Sequence, residues 1–226
     1  MCKAKGLCHA VDGHCRALLN SDCAATADCK QDGRCSAVDG RCAVATDKDC
    51  AAIADCKQFG KCGAKAGKCV ALYDGDCSKS NLCIYSGQCA AVKDECAATS
   101  TADCLASTYC PQRGNCTARA GACMPGADAD CVSHDPCKLE GKCSLQTYAT
   151  TKHWECIATS VADCAASQGC VTLGRCSVSD GQCAIGGQAD CLQSEQCKKV
   201  GACTWIPGKD GGLAKCCDSR GKACYS

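Results

Sequence analysis

The chain carries 33 cysteines in 226 residues, so sulfur is the first chemistry to weigh. Thiolates are soft ligands for zinc or copper(I) and can buffer redox potential, whereas oxidised pairs cross-link the chain. The spacing is too regular for a scatter of independent sites. A first cysteine recurs at Cys23, Cys50, Cys77, Cys104, Cys131, Cys164 and Cys191, and a second at Cys29, Cys56, Cys83, Cys110, Cys137, Cys170 and Cys197. A third follows at Cys35, Cys62, Cys89, Cys116, Cys143, Cys176 and Cys203, and a fourth at Cys42, Cys69, Cys96, Cys123, Cys156, Cys183 and Cys216. The period is 27 residues, stretched once to 33. Seven complete units hold 28 of the 33 cysteines; Cys2, Cys8 and Cys15 have the spacing of a unit without its first cysteine, and Cys217 and Cys224 trail the last.

Composition favours cross-linking over ligation. Leu, Ile, Val and Phe make up roughly an eighth of the residues, below the level of ordinary globular cores, while cysteine exceeds the level that marks a disulfide scaffold. Disulfides supply what burial cannot, and at this density they imply an oxidising compartment, outside the cell or at its surface. The rival reading is a thiol-rich protein binding zinc or copper, or a redox buffer. Closed zinc sites use cysteine pairs two to four residues apart. Here every separation is at least six except Cys216–Cys217. His9, His14, His134 and His153 show no paired ligand spacing and read as isolated surface residues.

Other chemistries find no support. No phosphate-binding glycine loop, nucleophile elbow or metalloprotease pattern occurs, so no catalytic, cofactor or metal residue is assigned and no enzyme is expected. The 25 basic and 24 acidic residues are balanced and give no stripe for nucleic acid. One recurring aspartate per unit is too few oxygens for calcium. There is no apolar run of membrane-spanning length and no leader at Met1, and the expectation is a processed or truncated piece of a longer secreted protein.

The elements that position the cysteines can be read from the residues around them. Aspartate precedes every first cysteine, at Asp22, Asp49, Asp76, Asp103, Asp130, Asp163 and Asp190. As an N-cap it predicts a short helix starting at each first cysteine. Lysine after the second cysteine (Lys3, Lys30, Lys57, Lys138, Lys198) suits a helix end. Glycine two residues before each third cysteine (Gly6, Gly33, Gly60, Gly87, Gly114, Gly141, Gly174, Gly201) suits the left-handed position that stops a helix. Pro111 and Pro136 fall inside two of these helices and predict irregular structure there.

The second half of the unit reads as a β-hairpin turned at Asp-Gly or Ala-Gly. With Asp39 and Gly40 at the turn, Val38 pairs Arg41 and Ala37 pairs Cys42, and the hairpin cysteines face those of the preceding segment. The segment AAVKDEC has no glycine, so its turn is less secure. Two pairing schemes fit. Each unit closes on itself, joining the first two cysteines to the last two; or the second joins the third and the fourth joins the next unit's first, making a ladder. The odd cysteine falls near the N-terminus in the former and near Cys216, Cys217 and Cys224 in the latter. Self-contained units are the working expectation.

Links of six or seven residues keep neighbouring units in contact. The expected fold is a small disulfide-rich repeat array, each unit a short helix plus a hairpin, stacked into a rod or solenoid with little conventional core. Its boundaries run 1–22 for the incomplete repeat, then 23–49, 50–76, 77–103, 104–130, 131–163, 164–190 and 191–216, with 217–226 as an extension. The hairpins of 131–163 and 191–216 are each six residues longer than the rest. Their loops hold Tyr148, His153, Trp154 and Trp205, the candidate interaction residues. Packing over its own hairpin is the plainer expectation for each tryptophan.

The unit D-C-x5-C-x3-G-x-C-x4-G-x-C, over residues 2–216, resembles the cysteine-rich repeat of secreted or surface proteins of myxobacteria. That resemblance implies a bacterial envelope or extracellular setting and supplies no activity. The expected role is a non-enzymatic structural or interaction module: a rigid spacer, adhesin segment or surface-assembly subunit. Its partners would be another surface protein, a glycan or copies of itself.

Overall fold

The computed structural model describes residues 9–148, 153–208, 213–221 and 224–226. Each complete unit is two short helices followed by a two-stranded antiparallel hairpin. In the first, the helices are Asn20–Ala24 and Ala27–Asp32 and the strands Ser36–Val38 and Arg41–Ala43.

In place of the expected single helix from aspartate to glycine there are two, broken at an extended residue whose side chain bonds the helix ends in most units, Ile53 being the exception. Thr26 is extended (φ −75°, ψ 155°), its hydroxyl donates to the Cys23 carbonyl at 2.7 Å, and the same oxygen accepts from the Cys29 N–H at 3.1 Å. One residue thus ends the first helix and caps the second, the local competition with the helical ladder that short hydroxyl side chains offer. Ser80 and Ser194 do the same, and Ser167 accepts from the Cys170 N–H.

This break also corrects two further expectations. The recurring aspartates are not N-caps. Each is the third residue of the first helix, which starts earlier, as in Asp47–Ala51 with Thr46 at the cap and Asp49 third. Pro111 and Pro136 do not disorder their units, because the second helices start late enough to place them in the first turn of Tyr109–Arg113 and Asp135–Glu140. First-turn N–H groups have no intrahelical partner to lose.

The glycines behave as expected. Gly33, Gly60, Gly87, Gly141, Gly174 and Gly201 end the second helices at φ between 66° and 77°. Gly6 and Lys3 lie outside the described residues. In the hairpins Val38 pairs Arg41 and Ala37 pairs Cys42, with Asp39 and Gly40 at φ 48° and 77°. The turn without glycine keeps the same register, Val92 with Glu95, by holding Lys93 and Asp94 at φ 51° and 70°.

The units close on themselves. First joins fourth in Cys23–Cys42, Cys50–Cys69, Cys77–Cys96, Cys104–Cys123, Cys131–Cys156, Cys164–Cys183 and Cys191–Cys216. Second joins third, from Cys29–Cys35 to Cys197–Cys203. The fourth-to-next-first bond of the ladder does not form. Cys217 joins Cys224, and Cys15 is also bonded, so the odd cysteine is not among the described residues.

Sulfur replaces the apolar core. All seven first cysteines are 0 % exposed. The described residues divide into two compact units, Met1–Thr108 with Ala118–Cys123, and Tyr109–Thr117 with Met124–Ser226. In the first, Ala71 packs on Cys77 and Cys96, and Ala98 on Cys104 and Cys123. In the second, Ile185 packs on Cys191 and Cys216 with Trp205. Each cluster joins an apolar residue from one link to the long disulfide of the next repeat. The backbone N–H groups of Ala17, Ala71, Ala98 and Ala158 donate to the turn of the following hairpin at 2.8–3.0 Å.

Candidate functional site

The recurring polar residues are engaged in the scaffold. The Asp49 carboxylate accepts from the Ala45 and Thr46 N–H groups at 2.8 and 2.9 Å and from the Ser36 hydroxyl of the preceding hairpin at 2.9 Å. Burial pushes its carboxyl up, but these donors outweigh burial and hold it below the ordinary value. Asp163 is the same, with Thr159, Ser160 and Ser144 as donors. Thr117 serves Asp130 at 2.8 Å and Ser177 serves Asp190 at 2.8 Å. In these four units the aspartate therefore ties the helix start to the hairpin before it.

Asp103 has Ala90 at the hydroxyl position and accepts from its own Ser100 at 2.7 Å, whereas Asp76 has no side-chain donor among the described residues. Its hydroxyl position is Gly63, and the Leu72 side chain fills that space: a Cβ on Gly63 would lie 2.6 Å from Leu72 Cδ1. Asp76 Oδ2 is buried without a hydrogen bond among the described residues. Burial, with Asp47 nearby, raises its carboxyl.

A second structural position went unread in the sequence. Three residues before each first cysteine, Asn20, Asp47, Asp74, Asp128 and Gln188 accept from a hairpin N–H of their own unit at 2.7–3.1 Å. The recurrence of Asn, Asp or Gln there was the available signal. For the aspartates it was the Ser or Thr three residues earlier in Thr46, Ser100 and Ser160, the spacing of a capping box.

The histidines differ from one another. His9 Nε2 lies 3.2 Å from Asp22, and His14 is exposed. His134 is not a surface residue: it is 1 % exposed and occupies the cap position that hydroxyls fill in most other units, its Nδ1 accepting from the Cys137 N–H at 3.2 Å. Burial lowers its pKa, and the hydrogen bond assigns the neutral form protonated on Nε2.

The two long hairpins take different shapes. The first pairs Ser144–Tyr148 with His153–Ile157, two pairs more than a standard unit, in the register Gln146 with Glu155, Thr147 with Trp154 and Tyr148 with His153. Tyr148 and Glu155 share one face, and Trp154 lies on the other. The Tyr148 hydroxyl donates to Glu155 Oε1 at 3.0 Å, which raises the phenol pKa. The second keeps three-residue strands, Thr204–Ile206 and Lys215–Cys217, and gains a third strand at Cys224–Tyr225. Trp205 is half-buried against Ile185, Cys191 and Cys216, with its indole N–H buried. The four aromatic candidates therefore do not form one cluster: Tyr148 and Trp154 share a hairpin but not a face, and Trp205 belongs to another unit.

A cleft of about 210 Å³ opens beside the longer ladder, lined by Tyr148, Glu155, Lys142, Asp180 and Gln182. Another, of about 470 Å³, is lined by His14, Arg16, Asp39 and Arg41. Every described cysteine is oxidised, leaving no thiolate ligand among the described residues, and no group of three metal-binding side chains occurs among them. No helix among them is long and apolar enough to cross a membrane. No protein-family model, curated protein or solved structure matches the chain.

Proposed function

We propose that this chain is a non-enzymatic module of an extracellular or cell-surface protein, a rigid disulfide-stapled spacer, adhesin segment or surface-assembly subunit. The observation that carries this reading is the oxidation of every described cysteine, with the bridges from Cys23 to Cys216 closed within single units and Cys217–Cys224 within the C-terminal extension. Bridges at this density belong to oxidising compartments. The recurring aspartates and cap residues act within the repeat, which argues for a scaffold rather than a reaction centre. The resemblance of the unit to secreted myxobacterial repeats supports the same setting. Partners suited to such a module are another surface protein, a glycan or further copies of the chain.

Intact mass tests the scaffold. Fifteen bridges among the described residues and that of Cys15 give an expected deficit of about 32 Da, two hydrogens per bridge, with one site alkylated after unfolding. The non-reduced protein should resist proteases that digest it once reduced. A reduced protein that stays folded only with zinc or copper would make it a metal-thiolate protein instead.

A further inference from the structure

We propose that the cleft beside the long hairpin of residues 144–157 binds one ring of a neutral saccharide. Standard hairpins end after three strand pairs; this one continues for two more. On its inner face Ile157 meets the turn of the next hairpin at Gly181, and Glu155 and Tyr148 follow along the same face. The added length therefore forms a wall past the neighbouring turn, and the cleft of about 210 Å³ lies between them. Only this hairpin has the extended ladder among the described residues.

The lining has the mixed chemistry of a polyol site. Tyr148 is 40 % exposed, and its ring is anchored through the hydroxyl to Glu155 rather than free to rotate away. An anchored aromatic face suits the apolar C–H face of a sugar ring at low entropic cost. Glu155 and Asp180 accept hydrogen bonds, Lys142 donates, and Gln182 does both. A purely anionic ligand would meet two carboxylates. A purely cationic one would meet the Lys142 ammonium, which is held 2.7 Å from Glu140. A neutral ligand whose every hydroxyl both donates and accepts satisfies the whole lining.

This inference rests on the interaction part of the proposed role. Its failure would leave the scaffold part, tested by mass and proteolysis, standing. The probe is a panel of neutral gluco-, manno-, galacto- and xylo-oligosaccharides, titrated against the oxidised full chain by ligand-observed NMR. At least one series should bind. Tyr148→Ala should weaken it at least about tenfold, Gln182→Ala should weaken it less, and Trp154→Ala, on the opposite face, should leave it unchanged. Each variant is compared at an unchanged disulfide count. No binding at concentrations up to about 10 mM, where millimolar affinity still registers, would overturn the proposal. So would binding that survives Tyr148→Ala and Gln182→Ala together, or binding confined to acidic or amino sugars.

Discussion

At the residue scale, one carboxylate takes a hydroxyl from the preceding hairpin in four of the seven units, and its exceptions can be tested. Asp49 is 6 % exposed and accepts from two N–H groups and a hydroxyl. Asp49→Ala should cost about 2 kcal/mol through the orphaned donors. Because the folded carboxyl lies below its ordinary 3.8, this stabilisation is complete above that value and disappears as pH falls through the folded pKa. Asp76 has the opposite sign. Its folded pKa is raised, so its ionisation opposes folding as pH rises from 3.8 through the folded value. Gly63→Ser alone should destabilise by clashing with Leu72. Gly63→Ser with Leu72→Ala should restore the missing hydroxyl and lower the Asp76 pKa, read by carboxyl NMR; an unchanged pKa would refute the account. His134 extends the logic to a base. Its neutral form is the folded one, so stability is complete above 6.5 and declines as pH falls from there toward the lowered folded pKa. His134→Ser, the residue used by most sister units, should keep the cap and flatten that dependence, with Tm measured between about pH 4 and 7.

At the element scale, the hairpins were legible and the helices only half so. Asp-Gly dictates a turn through its own backbone freedom, and Val38–Arg41 followed directly from it. The helical segment misled because its cap residue, Thr26 in one unit and His134 in another, has a meaning only three-dimensional contact reveals. The glycine ending each second helix shows how one residue can serve two scales. Its positive φ was readable, but its second role was not. A Cβ on Gly87 would lie 2.6 Å from Cys123 Sγ and 2.9 Å from the Asp103 carbonyl of the following repeat, whereas one on Gly201 would meet nothing within 4 Å. Both substitutions to alanine carry a left-handed penalty of about 1–2 kcal/mol. Gly87→Ala should add about 1–3 kcal/mol of overpacking. Amide hydrogen exchange, which reads opening of the affected repeat, separates the two. Equal losses would mean that the close approach between repeats contributes nothing.

At the scale of the whole molecule, the repeat was plain in the sequence because cysteine positions are fixed by geometry that tolerates no slippage. The pairing was not, because four cysteines at these offsets satisfy more than one scheme on spacing alone. What resolves it is packing: the first cysteine of each unit is wholly buried, and Cys77, Cys104 and Cys191 lie under the link residue before them, so the bridge is both intra-unit and the surface on which repeats meet. The two bridge types should therefore differ in kind. The standard long bridge closes a separation of 19 residues and the short one 6. Loop entropy alone makes these worth about 3 and about 2 kcal/mol. Access adds a second distinction among the bridges, since thiol exchange needs in-line attack on sulfur. The short bridges Cys56–Cys62, Cys83–Cys89 and Cys197–Cys203 are half-exposed at both cysteines, and Cys110–Cys116 and Cys170–Cys176 are buried. Each long bridge has a first cysteine at 0 % exposure and, at Cys42, Cys69, Cys156 and Cys183, a half-exposed fourth. Graded reduction with alkylation and peptide mapping should label Cys56–Cys62, Cys83–Cys89 and Cys197–Cys203 first, with protease resistance intact. Resistance should fall only when the long bridges open. If the long bridges reduced first, or if losing only the short ones exposed the chain to protease, the buried bridge would not be the joint that holds one repeat against the next.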